Sequence, residues 1–290
     1  MGSRGRSEVD ISSKAGPVAA MDWGGSGDPI LFLHGGGSNA AEWVQVVGHL
    51  TDDFRCVAVD FHGHGRTPAH QEPTYETYLD EIDAVVDHLG IARDRLTLVG
   101  SSFGGAVAVC YEARRPGCRA IVGDDSAPSA VHVGLRPNPD GVEHTAEEYD
   151  ALGWGWSGDE AAYEARVAAW VADGSGPEPY VRRCHQLGAD GRYHQVPATA
   201  VIAAMHNLGL RPENPYLRVN NYAEVGCPVL LLCATEGTAS DNRRFVDSMP
   251  TRFPMVTVTW VEGGHGLHRQ LPELVAQHVT KATEAARVRR

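Results

Sequence analysis

Short apolar runs alternate along this chain with longer segments in which apolar residues recur at helical spacing. Three runs are almost continuously apolar and have the pattern of buried strands: 30–33, 96–99 and 229–234. Residues 256–261 alternate instead, as a strand with one exposed face does. Helical spacing follows two of these strands, over residues 39–50 and 106–111. Strands that alternate with helices predict an α/β fold with a mostly parallel central sheet flanked by helices.

This pattern is interrupted between residues 129 and 222. Two segments there carry helix-forming residues with apolar positions at helical spacing, 161–171 and 198–210. Two residue pairs have the spacing of capping boxes, Thr145 with Glu148 and Ser157 with Glu160. We therefore predict a helical lid over 129–222, inserted into an α/β core formed by residues 1–128 and 223–290.

One predicted strand runs directly into a glycine-flanked serine. The pentapeptide from Gly100 to Gly104, with Ser102 at its centre, follows strand 96–99 and precedes helix 106–111. A strand-to-helix turn of this G-x-S-x-G type holds the central serine in a strained backbone conformation, with its hydroxyl above the sheet edge. The flanking glycines avoid clashes in so sharp a turn. Ser102 is therefore the predicted nucleophile.

Two further loops at the ends of predicted strands carry residue types that acyl transfer needs. Strand 30–33 ends in H-G-G-G, and such a turn can aim backbone N–H groups at an oxyanion. The N–H groups of Gly36 and Phe103 form the predicted oxyanion hole. Strand 256–261 leads into a loop with His265, the predicted general base. The carboxyl ends of strands are where open α/β sheets place their sites.

Four segments in this order resemble the α/β-hydrolase fold superfamily: H-G-G-G at 34–37, V-A-V-D-F-H-G-H-G-R-T at 57–67, G-S-S-F-G-G at 100–105 and G-G-H-G-L-H at 263–268. The resemblance extends over residues 29–279 apart from the insertion. It implies a member with a serine nucleophile, because relatives that open epoxides or displace halides carry aspartate at the elbow. In the second segment it implies a structural role in shaping the turn for Asp60, Gly63, Gly65 and Arg66.

The acid of a Ser-His-acid triad stays open. In the resembled family the acid usually follows the next-to-last core strand, here 229–234, but Gly237 stands where the aspartate would fall. Glu236 lies one position early and Asp241 four residues late. Some relatives place the acid after the strand that follows the nucleophile helix, and Asp125 matches that position. Asp125 is the preferred acid and Glu236 the alternative; either would orient the imidazole of His265.

Composition bounds the remaining classes of protein. A chain of 290 residues with 42% hydrophobic content can bury one large core, as a single catalytic domain with a lid requires. Its formal net charge of -12 would repel nucleic acids and anionic membranes, so neither is an expected partner. No run approaches a membrane span, and no apolar segment of a signal peptide follows the basic N-terminus. We expect a cytoplasmic protein.

The motifs favour no metal or cofactor chemistry. The six cysteines form no C-x-x-C pair, and the fourteen histidines show no metal-ligand spacing such as H-E-x-x-H. No dinucleotide or Walker motif occurs, so we expect no metal, no cofactor and reduced thiols. Arginines far outnumber the two lysines, Lys14 and Lys281, which suggests a GC-rich bacterial genome and metabolite processing. The sequence carries no signal for the oligomeric state.

Together these features predict a serine hydrolase that cleaves an ester, lactone or thioester of a hydrophobic small molecule through an acyl-enzyme. Trp154 and Trp156 of the insertion are the predicted substrate-binding residues, because an aromatic ceiling over Ser102 would suit such a substrate. The same scaffold supports lyases, cyclases, C–C bond hydrolases and receptors that only bind a ligand. These stay open as alternatives.

Overall fold

The structure is a computed structural model that describes residues 7–14, 16–70, 72–128, 143–210 and 219–288. Eleven strands lie within these residues: β1 (Ser7–Ser13), β2 (Gly16–Asp22), β3 (Pro29–Leu33), β4 (Arg55–Val59), β5 (Thr97–Ser101), β6 (Ala120–Asp124), β7 (Ser157–Gly158), β8 (His185–Leu187), β9 (Tyr193–Gln195), β10 (Val229–Glu236) and β11 (Val256–Gly264). Eight of them form one sheet in the order β1-β2-β4-β3-β5-β6-β10-β11.

This sheet is parallel from β4 to β11, while β1 and β2 add antiparallel strands at one edge. Every residue of β3, β5 and β6 is buried. Central parallel strands are covered on both faces, which explains why their sequences are almost continuously apolar. The predicted fold class, a mostly parallel sheet flanked by helices, is confirmed.

Helices cover both faces of the sheet. Within the described residues they are α1 (Val44–Val47), α2 (Tyr75–His88), α3 (Phe103–Arg114), α4 (Ala146–Ala151), α5 (Glu160–Ala172), α6 (Glu178–Arg183), α7 (Thr199–Leu210), α8 (Asn221–Glu224), α9 (Arg243–Arg252), α10 (Leu267–Gln270) and α11 (Pro272–Val288). None of these helices has both the length and the apolar character to cross a membrane.

The two faces bury alternate residues of each strand. Leu31 and Leu33 of β3 belong to a hydrophobic cluster that includes side chains of α2, α3 and α9. Ile30 and Phe32 belong to a second cluster, which includes side chains of α1 and α11. Because side chains alternate across a strand, one apolar run supplies both layers of the core. The rigid sheet that results fixes the ends of β3, β5, β6 and β11, where the predicted site residues lie.

Residues 143–210, called the cover below, fall within the predicted insertion. They contain the four helices α4 to α7 and a small antiparallel sheet in the order β7-β9-β8. Helices at 161–171 and 198–210 were predicted, whereas the small sheet was not. The predicted segments 129–142 and 211–218 lie outside the described residues, and the division into core and lid stays a prediction.

The predicted capping boxes have different outcomes. Thr145 and Glu148 form one at the start of α4, with each side chain bonded to the other's backbone N–H. The prediction for Ser157 and Glu160 is wrong, since Ser157 belongs to β7. Asp159 begins α5 instead, and its carboxylate accepts the N–H of Ala162 at 2.9 Å. A carboxylate is an equally good acceptor at this position.

A buried ion pair joins the cover to the core. The guanidinium of Arg183, on α6, lies 2.6 Å from the carboxylate of Asp60, which follows β4 and is fully buried. The same guanidinium donates to Glu8 of β1 at 2.9 Å. Asp60 also accepts the N–H groups of Ala40 and Arg66, both at 2.7 Å. Asp60 therefore has the structural role that the resemblance implies, and it also anchors the cover.

Candidate active site

Ser102 stands at a sharp turn between β5 and α3. Its backbone has φ of 47° and ψ of -112°, a combination that residues other than glycine rarely adopt. The neighbouring glycines are required by space: a Cβ on Gly100 would lie 2.4 Å from the backbone of Gly104. A Cβ on Gly104 would lie 2.2 Å from the carbonyl oxygen of Leu33. The sequence therefore folds into the elbow predicted from G-x-S-x-G.

The glycine turn after β3 lies directly against this elbow. A Cβ on Gly35 would be 3.7 Å from Cβ of Ser102, and one on Gly36 would be 3.8 Å from Cβ of Phe103. Phe103 is the first residue of α3, so its N–H lies at the positive end of the helix dipole. The Gly36 N–H donates to no acceptor among the described residues, whereas Gly35 and Gly37 donate to Glu42 and His64.

His265 follows β11 and reaches the acid that the sequence favoured. Its Nδ1 lies 2.5 Å from Oδ2 of Asp125, the residue after β6. The Asp125 carboxylate also accepts the N–H groups of Ala234 and Thr238, both at 3.0 Å. Burial alone would raise the pKa of Asp125, but the bonds from His265, Ala234 and Thr238 outweigh it and lower that pKa. Asp125 is thus held as a carboxylate.

The alternative acids occupy other places. Glu236 ends β10 with an exposed side chain, and no hydrogen bond among the described residues joins it to His265. Asp241 lies in the 3₁₀ turn Ser240–Asn242. Gly237, in the family's usual acid position, packs on Asp125: a Cβ there would be 2.2 Å from Oδ2 of Asp125. The carboxylate of Asp125 therefore occupies the space of a side chain at 237, which explains the glycine.

Ser102 and His265 line one cavity of about 230 Å³. The glycine turn, Trp154, Tyr180 and Arg269 also line it. The ring of Trp154 covers Gly37, where an added Cβ would be 2.8 Å from Cη2 of the indole. Trp154 is the largest apolar side chain in the described lining. Apart from the glycines and Tyr180, the other lining side chains are polar or charged.

The structure does not bring Trp156 to this cavity, which corrects its prediction as a substrate-binding residue. Its ring packs on the guanidinium of Arg166 at 4.8 Å and edge-on against His185 at 5.2 Å. Trp170 stacks on the same guanidinium at 4.2 Å. Trp156 therefore holds the α5 side of the cover together.

Sequence reasoning missed a second acid–histidine pair beside the first. Nδ1 of His268 lies 2.5 Å from Oδ2 of Asp124, and its Nε2 lies 3.5 Å from Oε2 of Glu42. The available signal was the repeat itself: Asp124 ends β6 and Asp125 follows it, and two histidines follow β11 three positions apart. No group of three metal-ligating side chains is assembled anywhere in the described ranges.

Comparison with known proteins gives both partial and complete matches. An esterase of Mycobacterium tuberculosis is 34% identical over 122 residues, which are 41% of this chain and 39% of that protein. A bifunctional esterase/perhydrolase of Acinetobacter calcoaceticus is 35% identical over 139 residues, 46% of this chain and 49% of that protein. The chain thus matches about half or less of the length of these curated relatives.

Solved structures match over nearly the whole chain. The crystal structure of E-2-(acetamidomethylene)succinate hydrolase matches with a TM-score of 0.74 at 22% identity. The match covers 97% of this chain and 100% of that one. This likeness shows the fold. The model of the alpha/beta hydrolase family matches residues 30–278, from β3 into α11. The chain therefore belongs to the alpha/beta hydrolase family.

Proposed function

We propose that this protein is a serine hydrolase that cleaves an ester, lactone or thioester of a small molecule through an acyl-enzyme. The observation that carries the proposal is the strained elbow of Ser102 in one cavity with His265, whose Nδ1 is bonded to Asp125 at 2.5 Å. A hydroxyl nucleophile, a base and a carboxylate that orients the base are the parts that acyl transfer needs. Relatives named as esterases support the same class.

In the proposed first step, Nε2 of His265 takes the proton of Ser102 while Oγ forms a bond to the substrate carbonyl carbon. The carbonyl oxygen becomes an oxyanion, which the N–H groups of Gly36 and Phe103 stabilise. When the carbonyl re-forms, the bond to the leaving oxygen or sulfur breaks and His265 returns the proton to it. Water then repeats the sequence on the acyl-enzyme and releases the acid and Ser102.

Asp125 acts in this scheme by remaining ionised. Its lowered pKa keeps the carboxylate charged while the imidazolium of His265 forms. The bond to Nδ1 leaves Nε2 as the basic nitrogen, which is the tautomer that the proton transfer needs. The bonds from Ala234 and Thr238 hold the carboxylate in place throughout.

The cavity also bears on the substrate. At about 230 Å³ it is smaller than the usual range for drug-sized ligands of about 300–1,000 Å³, which favours a short acyl group. Trp154 offers an apolar wall for that group, as the expected hydrophobic substrate requires. Arg269 and Tyr180 line the same cavity, so we propose that the substrate carries a polar group beside its apolar part.

A labelling and turnover experiment tests the function. Wild-type protein is treated with a fluorophosphonate probe and assayed with p-nitrophenyl acetate, butyrate and octanoate. We expect labelling and turnover of the shorter esters, and Ser102→Ala should lose both, with kcat lower by on the order of 10⁴-fold or more. Ser248→Ala is the matched control, since among the described residues that hydroxyl donates within α9, to the carbonyl of Phe245.

Either of two results would refute the proposal. Labelling that persists in Ser102→Ala would assign the nucleophile elsewhere. A wild-type protein that is labelled but turns over no ester would move the assignment to the lyase, cyclase or C–C hydrolase class, which uses the same site.

A further inference from the structure

A second histidine, His268, lies buried between two carboxylates beside the proposed triad, and His268 and Glu42 both line the cavity of Ser102 and His265. His268 is 1% exposed, and Glu42 and Asp124 are 3% and 0% exposed. Oδ2 of Asp124 lies 2.5 Å from Nδ1 of His268, and Oε2 of Glu42 lies 3.5 Å from Nε2. The ring of Trp43 packs on the imidazole with centroids 4.8 Å apart. The three side chains form a chain of charges, called the buried charge chain below.

The electrostatics of the buried charge chain favour a charged imidazole at His268. Burial alone would lower the pKa of His268, but Glu42 and Asp124 outweigh it and raise that pKa to about 9. Burial alone would raise the pKa of Glu42, but His268 and the Ser38 hydroxyl are among the groups that lower it to about 2. Removing one partner of such a group leaves an uncompensated buried charge, so its members depend on one another.

Glu42 uses its oxygens on the glycine turn as well. Its Oε1 accepts the N–H of Gly35 at 2.9 Å, and its Oε2 accepts the hydroxyl of Ser38. Gly35 and Ser38 are the two ends of the turn, which is closed by the Ser38 N–H donating to the Gly35 carbonyl at 3.2 Å. Gly36 lies between them. The position of the Gly36 N–H therefore depends on Glu42.

The Asp124 end of the buried charge chain is fixed to the elbow. The carbonyl of Asp124 accepts the N–H of Ser102 at 3.0 Å, and Asp124 pairs with Ser101 across β5 and β6. Its neighbour in sequence is Asp125, and His268, on α10, lies three positions after His265. The buried charge chain thus joins the histidine loop and the glycine turn by side-chain contacts, and it reaches the nucleophile elbow through the backbone of Asp124.

We propose that His268 is a positioning residue whose contacts with Asp124 and Glu42 hold the Gly36 N–H at the place where the oxyanion forms. The proposal rests on the serine-hydrolase function proposed above. Hydrogen-bond donors stabilise a transition state when they are already fixed where its charge develops. Loosening the turn should therefore impair stabilisation of the oxyanion and leave binding of the uncharged ester nearly unchanged.

The test compares His268→Gln and Glu42→Gln with wild type. Both substitutions preserve size and some hydrogen bonding while they remove a charge. Two inhibitors with the same chain are used: a trifluoromethyl ketone, to which Ser102 adds so that the ketone oxygen becomes an oxyanion, and a methyl ketone, which stays uncharged. We expect kcat and trifluoromethyl ketone affinity to fall together, by on the order of 10²-fold, with KM and methyl ketone affinity within about threefold.

A stability control separates positioning from general damage. Thr283→Val removes a buried hydrogen bond to Thr97, at the opposite end of β5 from Ser102. We expect this variant to lose stability and to keep its trifluoromethyl ketone affinity. Folding of every variant is checked by circular dichroism. Combining the two glutamine substitutions should lower kcat by less than the product of their separate effects, since both act on the buried charge chain.

Further outcomes decide the proposal in every case. It is overturned if kcat is unchanged in folded variants, or if methyl ketone affinity falls as far as trifluoromethyl ketone affinity. If the glutamine variants do not fold, Ser38→Ala replaces them, because it removes one bond between Glu42 and the turn and leaves the charges in place. A loss of kcat at constant KM supports positioning, and no loss overturns it. A wild-type protein without ester turnover refutes the serine-hydrolase function instead.

Discussion

Ser102 and Asp125 are the two non-glycine residues with positive φ in the described part of the chain, at 47° and 44°. Each directly follows one of two neighbouring strands, β5 and β6, and both side chains belong to the proposed triad. Such backbone costs on the order of 1–3 kcal/mol and persists only where the surroundings hold it. Close packing between Gly100 and Gly104 fixes the turn at Ser102, and hydrogen bonds from Ala234 and Thr238 hold Asp125. Both strained backbones are therefore held by contacts within the protein.

The acid is tested by two single substitutions. We expect Asp125→Asn to lower kcat by on the order of 10³–10⁴-fold, because an amide cannot stabilise the imidazolium and favours the wrong tautomer. Glu236→Gln should change kcat little, since that side chain is exposed at the end of β10. Steady-state kinetics on both folded variants checks this, and a severe defect in Glu236→Gln beside a near-normal Asp125→Asn would reverse the assignment.

At this scale the sequence predicted what local motifs determine. Ser102 and His265 follow from turns that only glycine-rich segments can form, and both are where the motifs indicated. The choice between Asp125 and Glu236 depended on which strand end faces His265, a long-range property that no local pattern contains. The contact between Gly237 and Asp125 explains why the usual acid position is empty, but it is visible only in three dimensions.

At the scale of elements, the cover has two sides with different neighbours. On one side, α4 and α7 form a small hydrophobic cluster of Tyr149, Ile202, Ala203 and Met205, against which Trp154 packs. On the other side, α5 and α6 contribute Tyr163, Val167 and Val181 to a main core cluster, and Tyr193 of β9 packs against it. The α4–α7 side lies over the glycine turn, and the α5–α6 side extends the core.

This difference predicts unequal effects of the two tryptophans. Trp154→Ala should raise KM for apolar acyl esters by on the order of tenfold with a smaller change in kcat, because it removes an apolar wall of the cavity. Trp156→Ala is the matched control, since its ring packs on Arg166. It should lower thermal stability and leave KM unchanged. Equal changes in KM for both variants would contradict this division of the cover.

The elements of the cover also mark where sequence patterns stop being informative. Helices α5 and α7 are long enough for helical spacing to be recognised, and both were predicted. Strands β7, β8 and β9 contain two or three residues each, which is too short for an alternating pattern. Trp154 and Trp156 are two positions apart, and which of the two rings lines the cavity is visible only in three dimensions, where the Trp156 carbonyl accepts the N–H of Gln195 in β9.

For the molecule as a whole, the buried charge chain links stability to pH. The pKa of His268 is raised from 6.5 to about 9, so its contribution is complete below pH 6.5 and disappears as the pH rises through about 9. The pKa of Glu42 is lowered from 4.5 to about 2, so its contribution is present above pH 4.5 and is lost as the pH falls through about 2. Asp124 faces the same imidazole.

The corresponding experiment measures the free energy of unfolding by urea between pH 6 and 9.5. Wild type should lose up to about 3 kcal/mol over this range through His268, an upper value set by the shift of its pKa. His268→Gln should lack this component and have a flatter profile. Parallel profiles for the two proteins would show that His268 is not charged in the folded state.

The ion pair between Arg183 and Asp60 anchors one part of the cavity lining more firmly than another. Arg183 ends α6, and Tyr180 on the same helix lines the cavity, so this wall moves only if a buried guanidinium leaves its carboxylate. Trp154, another lining residue, packs against the small α4–α7 cluster and has no comparable ionic anchor among the described residues. We therefore expect the cavity to widen for a longer substrate by displacement of Trp154, while Tyr180 keeps its position and limits the length of substrate that fits.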